Sequence, residues 1–426
     1  MMRRRNLIGG LLAAPALAAP AVSGTVARAA TGGRVTTGLE ALIATGYRTL
    51  RGQRVGVITN PTGVLRDLRH EVDVMAADDR IDLVAVFGPE HGFRGTAQAG
   101  GSEGFFIDPK TRLPVYDTFE KTGDELAEIF RTAQVDTVLF DIQDVGPRFY
   151  TYVWTMFDSM VACAKAGKRV VVLDRPNPIT ARQPLGPVLD PAFATLIGRE
   201  AIPLVHAMTV GELARLFNAE FLPKHAGHAV ELDVVGMRGW RRDLSWEETG
   251  LPWVPPSPNM PTVDTAYVYP GTCLFSGTNI SQGRGTTRPF EIVGAPYIDH
   301  RWAEALNDLR LPGVRCREAY FQPTFSLYQG KSCGGIQLYV EDRRRLDAVR
   351  LGIAVLATAK SLYPDGFAWS DVGTPGSPKY WIDNLTGSTW VRTALDAGKS
   401  IDEVINGWQT DLDRFRPVRE KYLMYR

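Results

Sequence analysis

Glu90 and His91 are adjacent titratable side chains in the stretch LVAVFGPEHGFRG (83–95). A carboxyl group beside an imidazole is equipment for general acid/base chemistry wherever a fold encloses it. Three other polar clusters share the same setting: Asn60 in TNPTG (59–63), Asp141 and Asp144 in DIQD (141–144), and Asp174, Arg175 and Asn177 in DRPN (174–177). Each follows a short apolar run and stands close to proline or glycine, which end strands and turn the chain. An Asp or Asn at such a point commonly serves as a helix cap or turn residue. A Glu-His pair is not the usual capping choice, so Glu90 and His91 are the first place to look for chemistry.

The elements that must position these residues are legible as periodic runs. Segments 54–59, 83–87, 136–140 and 169–173 read as strands, and 71–77, 124–132 and 152–166 as helices, the last stopped by Gly167. Alternation of this kind, with nearly continuous apolar strands, predicts a parallel sheet covered on both faces. Ligands bind outside the carboxyl ends of such strands, so all four clusters are expected to converge on one cleft. The first strand runs into TNPTG, which lacks the GxGxxG turn, and a phosphate-binding P-loop is missing too. The expectation is a Rossmann-like sheet with no cofactor.

Beyond the sheet, Thr209 and Glu212 form a capping-box pattern opening a helix to about Phe221, and 230–235 alternates like a strand. LPWVPPSPNMP (251–261) is too rich in proline for helix or central strand and reads as an extended connector. The loop 277–291 is rich in glycine and carries Asn279, Arg284, Arg288 and Glu291. Segment 315–340 reads as a hairpin turning at 329–331, with helices at 347–362, 389–395 and 401–415. The predicted fold class is α/β. A Rossmann-like catalytic domain spans 32–261, a smaller C-terminal α+β domain spans 262–426, and the active-site cleft lies between them.

Composition excludes several classes. Hydrophobic content of 44% and charged content of 22% are ordinary for a globular protein, and a net charge of +1 argues against nucleic-acid binding. Cys163, Cys273, Cys316 and Cys333 show no CxxC spacing, so no metal site is expected. Cys316 with Cys333 is the pairing to test for a disulfide, with free buried thiols the alternative. Segment 1–29 begins with consecutive arginines, continues through a short apolar run rich in Ala, Leu and Gly, and ends in ARA (27–29). That is an export signal with a twin-arginine character. Its apolar core is too short and too broken by Gly and Pro to span the ~30 Å of a bilayer, so no stable membrane anchor is expected. The predicted location is periplasmic or extracellular.

GPEHGFRG (88–95), DIQDVGPRFYTY (141–152), DRPNPI (174–179), PSPNMP (256–261) and GTNISQGRGTTRPFEIVGAP (277–296) resemble, in order, the signature blocks of the NamZ-type exo-β-N-acetylmuramidases. The resemblance spans essentially all of the chain after the export segment. It implies hydrolysis of non-reducing terminal N-acetylmuramic acid from a peptidoglycan-derived muropeptide or disaccharide. It points to Glu90 as general acid, with His91 orienting it or bonding the sugar. Asp141 and Asp144 are the first candidates for a second carboxylate, with Glu291 behind them. The substrate's own 2-acetamido group is an alternative nucleophile. Arg148, Arg175, Arg284 and Arg288 lie in the matching blocks, and an arginine fork suits the lactyl carboxylate of muramic acid. Arg148 and Arg284 lead, with Asn60, Tyr150, Asn177 and Asn279 as further contacts. Two other functions fit the same chain: a sugar-binding protein without turnover, and a cell-wall esterase or amidase. The second would be favoured by a nucleophile elbow, a GxSxG set between a strand and a helix.

Overall fold

Strands alternate their side chains between two faces, and here both faces are buried. A computed structural model describes residues 34–426, so the export segment expected at 1–29 lies outside the described residues. Its first nine strands are β1 (Arg54–Thr59), β2 (Asp82–Gly88), β3 (Phe106–Ile107), β4 (Pro114–Asp117), β5 (Thr137–Asp141), β6 (Arg169–Leu173), β7 (Leu185–Val188), β8 (Pro203–Val205) and β9 (Leu232–Val235). Seven of them form one sheet in the order β3-β4-β2-β1-β5-β6-β9. All neighbours are parallel except β3 and β4 at the edge. Val138, Phe140, Val170 and Val172 point into one apolar core, while Leu139, Val171 and Leu173 point into a second. This period of two, apolar on both faces, is why the strands read as unbroken hydrophobic runs.

The first of those cores does not stop at the sheet. It continues through helices Val263–Thr272, Arg301–Asp308 and Ala348–Leu362. These helices back a smaller antiparallel sheet of β10 (Ile292–Ala295), β11 (Val314–Phe321) and β12 (Cys333–Val340), in the order β10-β12-β11. The fold is thus a parallel α/β sheet joined to a smaller α+β part.

One helix was not anticipated in the sequence, and two local expectations change. Helix Val263–Thr272 carries Pro270 and Gly271, two residues that argue against a helix in sequence. It forms because Gly271 lets it lie directly against Gly352 of helix Ala348–Leu362, where a Cβ on Gly352 would come 2.6 Å from the Gly271 Cα. The single helix expected at 401–415 is two, Ile401–Asn406 and Gln409–Glu420, broken at Gly407, where an added Cβ would strike the Trp390 ring. Finally, all four cysteines are free and buried. Cys316 faces Leu338 and Cys333 faces Phe321 in the β11–β12 ladder. That offset of five residues along the hairpin, at about 3.4 Å each, is far beyond disulfide reach.

Candidate functional site

Chain direction reverses immediately after β2, and the reversal is what presents Glu90 and His91. Gly92 N–H bonds the Pro89 carbonyl at 2.9 Å, and both His91 and Gly92 take positive φ, 71° and 83°. For histidine that conformation is uncommon and holds only where neighbours over-determine it. They do so here. His91 N–H bonds Gly101 O at 2.9 Å, Ala97 N–H bonds His91 O at 3.1 Å, and His91 Nδ1 lies 3.0 Å from Ala97 O. A carbonyl only accepts, so Nδ1 carries the proton and Nε2 of the uncharged ring is left with a free lone pair.

Glu90 is half-buried and held at both oxygens. Oε1 accepts from Gly100 N–H at 2.8 Å, and Oε2 accepts from the Thr151 hydroxyl at 2.6 Å. Thr151 stands at the cap position of helix Tyr152–Ala166, but its side chain makes no capping bond and is turned to the carboxylate instead. One wall of the site is therefore built where β2 and β5 end, as parallel-sheet topology requires.

The opposite wall arrives by two routes. The connector 251–261 is tied across the strand ends by the Tyr152 hydroxyl, which donates to Pro256 O at 2.5 Å. This brings Ser257, Asn259 and Met260 to the site. The smaller part contributes Tyr269, Cys273, Arg284, Phe290, Trp381 and Leu385. Together with Glu90, His91 and Tyr150, these residues enclose a cavity of 170 Å³. Tyr150 packs edge-on against Tyr152 and Tyr269, with centroids 5.2 and 5.7 Å away. Burial raises its phenol well above the ordinary range, so it stays protonated and acts as a donor. Arg284 is half-buried, lies 5.2 Å over the Phe290 ring and has no ion-pair or hydrogen-bond partner among the described residues.

Glu90, His91, Tyr150 and Arg284 are thus brought together, and the other expected site residues are not. Asp141 is fully buried in an ion pair with Arg175, whose Nη2 lies 2.7 Å from Oδ2. Asp144 is buried and accepts from Gly146 N–H at 2.7 Å, with His206 Nε2 at 3.1 Å. Glu291 accepts from Thr262 and Thr265 at the start of helix Val263–Thr272 and from Arg288. Asn60 accepts from Thr62 at 2.9 and 2.6 Å in a local turn. Asn177 donates to Met208 O at 3.0 Å, and Asn279 donates to Gly366 O at 2.7 Å. Arg148 lies behind the cavity wall, fully buried, its guanidinium making one bond to Leu385 O at 2.9 Å and meeting no counter-charge among the described residues. Burial pushes its guanidinium down to about 9. Expected convergence of all four strand ends on one cleft is corrected accordingly: two of the ends are consumed in binding each other.

The cavity also includes Thr151, Asn259, Tyr269 and Trp381, which the sequence reading did not single out as site residues. Thr151 and Asn259 lie inside blocks already marked. Tyr269 and Trp381 have no local signal, because only tertiary packing brings them there. A larger cavity of 650 Å³, lined by Trp390, Trp408 and Phe415, lies apart from Glu90 and His91.

Comparison with known proteins agrees across the whole described length. The family description "Exo-beta-N-acetylmuramidase NamZ, N-terminal" matches residues 55–264, and its C-terminal counterpart matches residues 267–425. A Bacillus subtilis protein named peptidoglycan beta-N-acetylmuramidase NamZ is 46% identical over 393 residues, 92% of each chain. Two crystal structures from Bacteroides fragilis, each described as a DUF1343 family protein, cover 92% of this chain and 99% of their own. Their TM-scores are 0.81 and 0.72, at 32% and 30% identity. From its first sheet strand to its last helix, the chain belongs to the NamZ family of exo-β-N-acetylmuramidases.

Proposed function

We propose that this protein is an exo-acting glycoside hydrolase that removes non-reducing terminal N-acetylmuramic acid from peptidoglycan fragments, with Glu90 as its general acid/base. The observation that carries the reading is a small cavity with a single carboxyl group held ready in its wall. Cleavage of a glycosidic bond needs a proton delivered to the departing oxygen, and Glu90 is the group in the cavity able to deliver it. Thr151 and Gly100 fix its orientation. At 170 Å³ the cavity is smaller than the ~300–1,000 Å³ of ordinary ligand pockets, which suits one terminal sugar better than a glycan chain.

Muramic acid differs from its glucosamine counterpart by a lactyl carboxylate. Arg284 has no anion to neutralise among the described residues and lines the cavity, so it is the group that would bind that carboxylate. Family membership supports the same substrate class, since the Bacillus relative carries the muramidase name. Export through the twin-arginine segment at 1–29 would deliver the folded enzyme to the compartment where peptidoglycan lies.

The deciding assay compares para-nitrophenyl N-acetylmuramide with para-nitrophenyl N-acetylglucosaminide. Release from the muramide, slowed by ~10²–10⁴ in Glu90→Gln, is the expected result. Release from the glucosaminide alone would remove the muramyl assignment.

A further inference from the structure

Two-carboxylate hydrolysis places a second Asp or Glu across the sugar from the acid. Among the described residues, Glu90 is the only carboxylate that lines the cavity. Asp141 is neutralised by Arg175, Asp144 is held by Gly146 and His206, and Glu291 is held by Thr262, Thr265 and Arg288. What the wall does offer is unused neutral hydrogen-bonding capacity. Among the described residues Tyr150 Oη and Asn259 Nδ2 are buried and find no partner, and both residues line the cavity. They are 7% and 4% exposed. Buried polar atoms of this kind are rarely left unsatisfied, which marks them as waiting for a ligand atom. Both donate, so the complementary atom is an acceptor. His91 Nε2 adds one free acceptor in the same wall. Two donors, one acceptor and apolar surface from Met260, Tyr269 and Phe290 match one chemical group: an acetamide, with its carbonyl, N–H and methyl.

We propose that Asn259 and Tyr150 hold the substrate's 2-acetamido group by its carbonyl oxygen, that His91 Nε2 receives its N–H, and that this group is the nucleophile. The proposal rests on the muramidase reading above. In the first step the acetamido oxygen attacks C1 and the glycosidic C1–O bond breaks, its electron pair passing to the leaving oxygen. That oxygen takes the proton of Glu90. The sugar becomes an oxazolinium ion and Glu90 a carboxylate. Water then attacks C1 and gives its proton to Glu90. The C1–oxygen bond of the five-membered ring breaks, the acetamide is restored, and two inversions at C1 leave its configuration retained. A tyrosine nucleophile is the rival on the same residues. Burial opposes it, because it keeps Tyr150 a phenol.

Fluorination of the acetamido methyl group tests this directly. Across para-nitrophenyl muramides bearing acetyl, monofluoro-, difluoro- and trifluoroacetyl groups, kcat/KM should fall by roughly two orders of magnitude, as the attacking oxygen loses electron density. A thiazoline analogue of N-acetylmuramic acid should inhibit competitively, and Asn259→Ala should weaken that inhibition while lowering kcat more than it changes KM. Tyr150→Phe should keep the fluorine dependence at a reduced rate. Release indifferent to fluorine overturns this proposal alone. No release even from the unfluorinated muramide overturns the muramidase reading and this proposal with it.

Discussion

At the scale of single residues, the site separates side chains that face the cavity from look-alikes that hold the fold. Glu90→Gln keeps the size and the two hydrogen-bond positions of the carboxyl group but removes its transferable proton. The expected outcome is a kcat lower by ~10²–10⁴ with the fold unchanged by circular dichroism. Arg284→Ala removes one charge-assisted contact worth about 1.5–3 kcal/mol, or roughly 10–100-fold in kcat/KM on muramyl substrates. Any residual activity on glucosaminides should stay level; equal losses on both would take Arg284 out of the selectivity role. Asp141 behaves differently. Its removal strands Arg175 in a dry interior, and breaking a buried pair from one side costs about 3–5 kcal/mol. Asp141→Ala is therefore expected to lower the urea midpoint sharply, and added formate should restore no activity. Formate rescue would return Asp141 to the chemistry.

At the scale of elements, the strands were legible because buried parallel strands are continuous apolar runs, and the proline and glycine after them mark where they stop. Glu90 and His91 stood out for the same reason. The pairing of Asp141 with Arg175 was not legible. Both lie at the ends of neighbouring strands, and a strand-end Asp or Arg looks the same in sequence whether it meets a sugar or its neighbour. Helix Val263–Thr272 was hidden by its own Pro270-Gly271, whose meaning lies in another helix 81 positions later. That crossing gives a sharp test. A Cβ on Gly271 would overlap the Ala348 carbonyl oxygen and stand 2.8 Å from Gly352 N, both backbone atoms that cannot rotate away. Gly271→Ala should destabilise by about 1–3 kcal/mol through overpacking, and because the same helix carries Tyr269, activity should fall with it. A variant as stable as the parent, by thermal unfolding, would show that the two helices can separate freely.

At the scale of the whole molecule, residues 419–426 return to the sheet and clasp it. Arg419 donates to Ala181 O and Ala207 O at 2.7 and 2.8 Å, Met424 N–H donates to Glu212 Oε1 at 2.7 Å, and the Tyr425 hydroxyl donates to Asp174 Oδ2 at 2.6 Å. Asp174, expected in the cleft, is instead the buried anchor of this clasp. It also accepts from Thr209, Gly211 and Arg175. Burial still raises its carboxyl to about 7 against those donors. An unfolded aspartate titrates near 3.9, so between about pH 4 and 7 the folded chain binds a proton that the unfolded chain has lost. The stability this proton confers is complete below about pH 4 and drains away as pH rises through about 7, at up to ~1.4 kcal/mol per pH unit. Asp174→Asn abolishes the titration while keeping an oxygen for the two backbone N–H groups, and the hydroxyls of Thr209 and Tyr425 are able to reverse. Urea unfolding of both proteins at pH 5 and pH 8 should therefore show the parent losing more stability than the variant over that interval. Parallel losses would mean that Asp174 is ionised throughout and that its four donors, not its burial, set its charge.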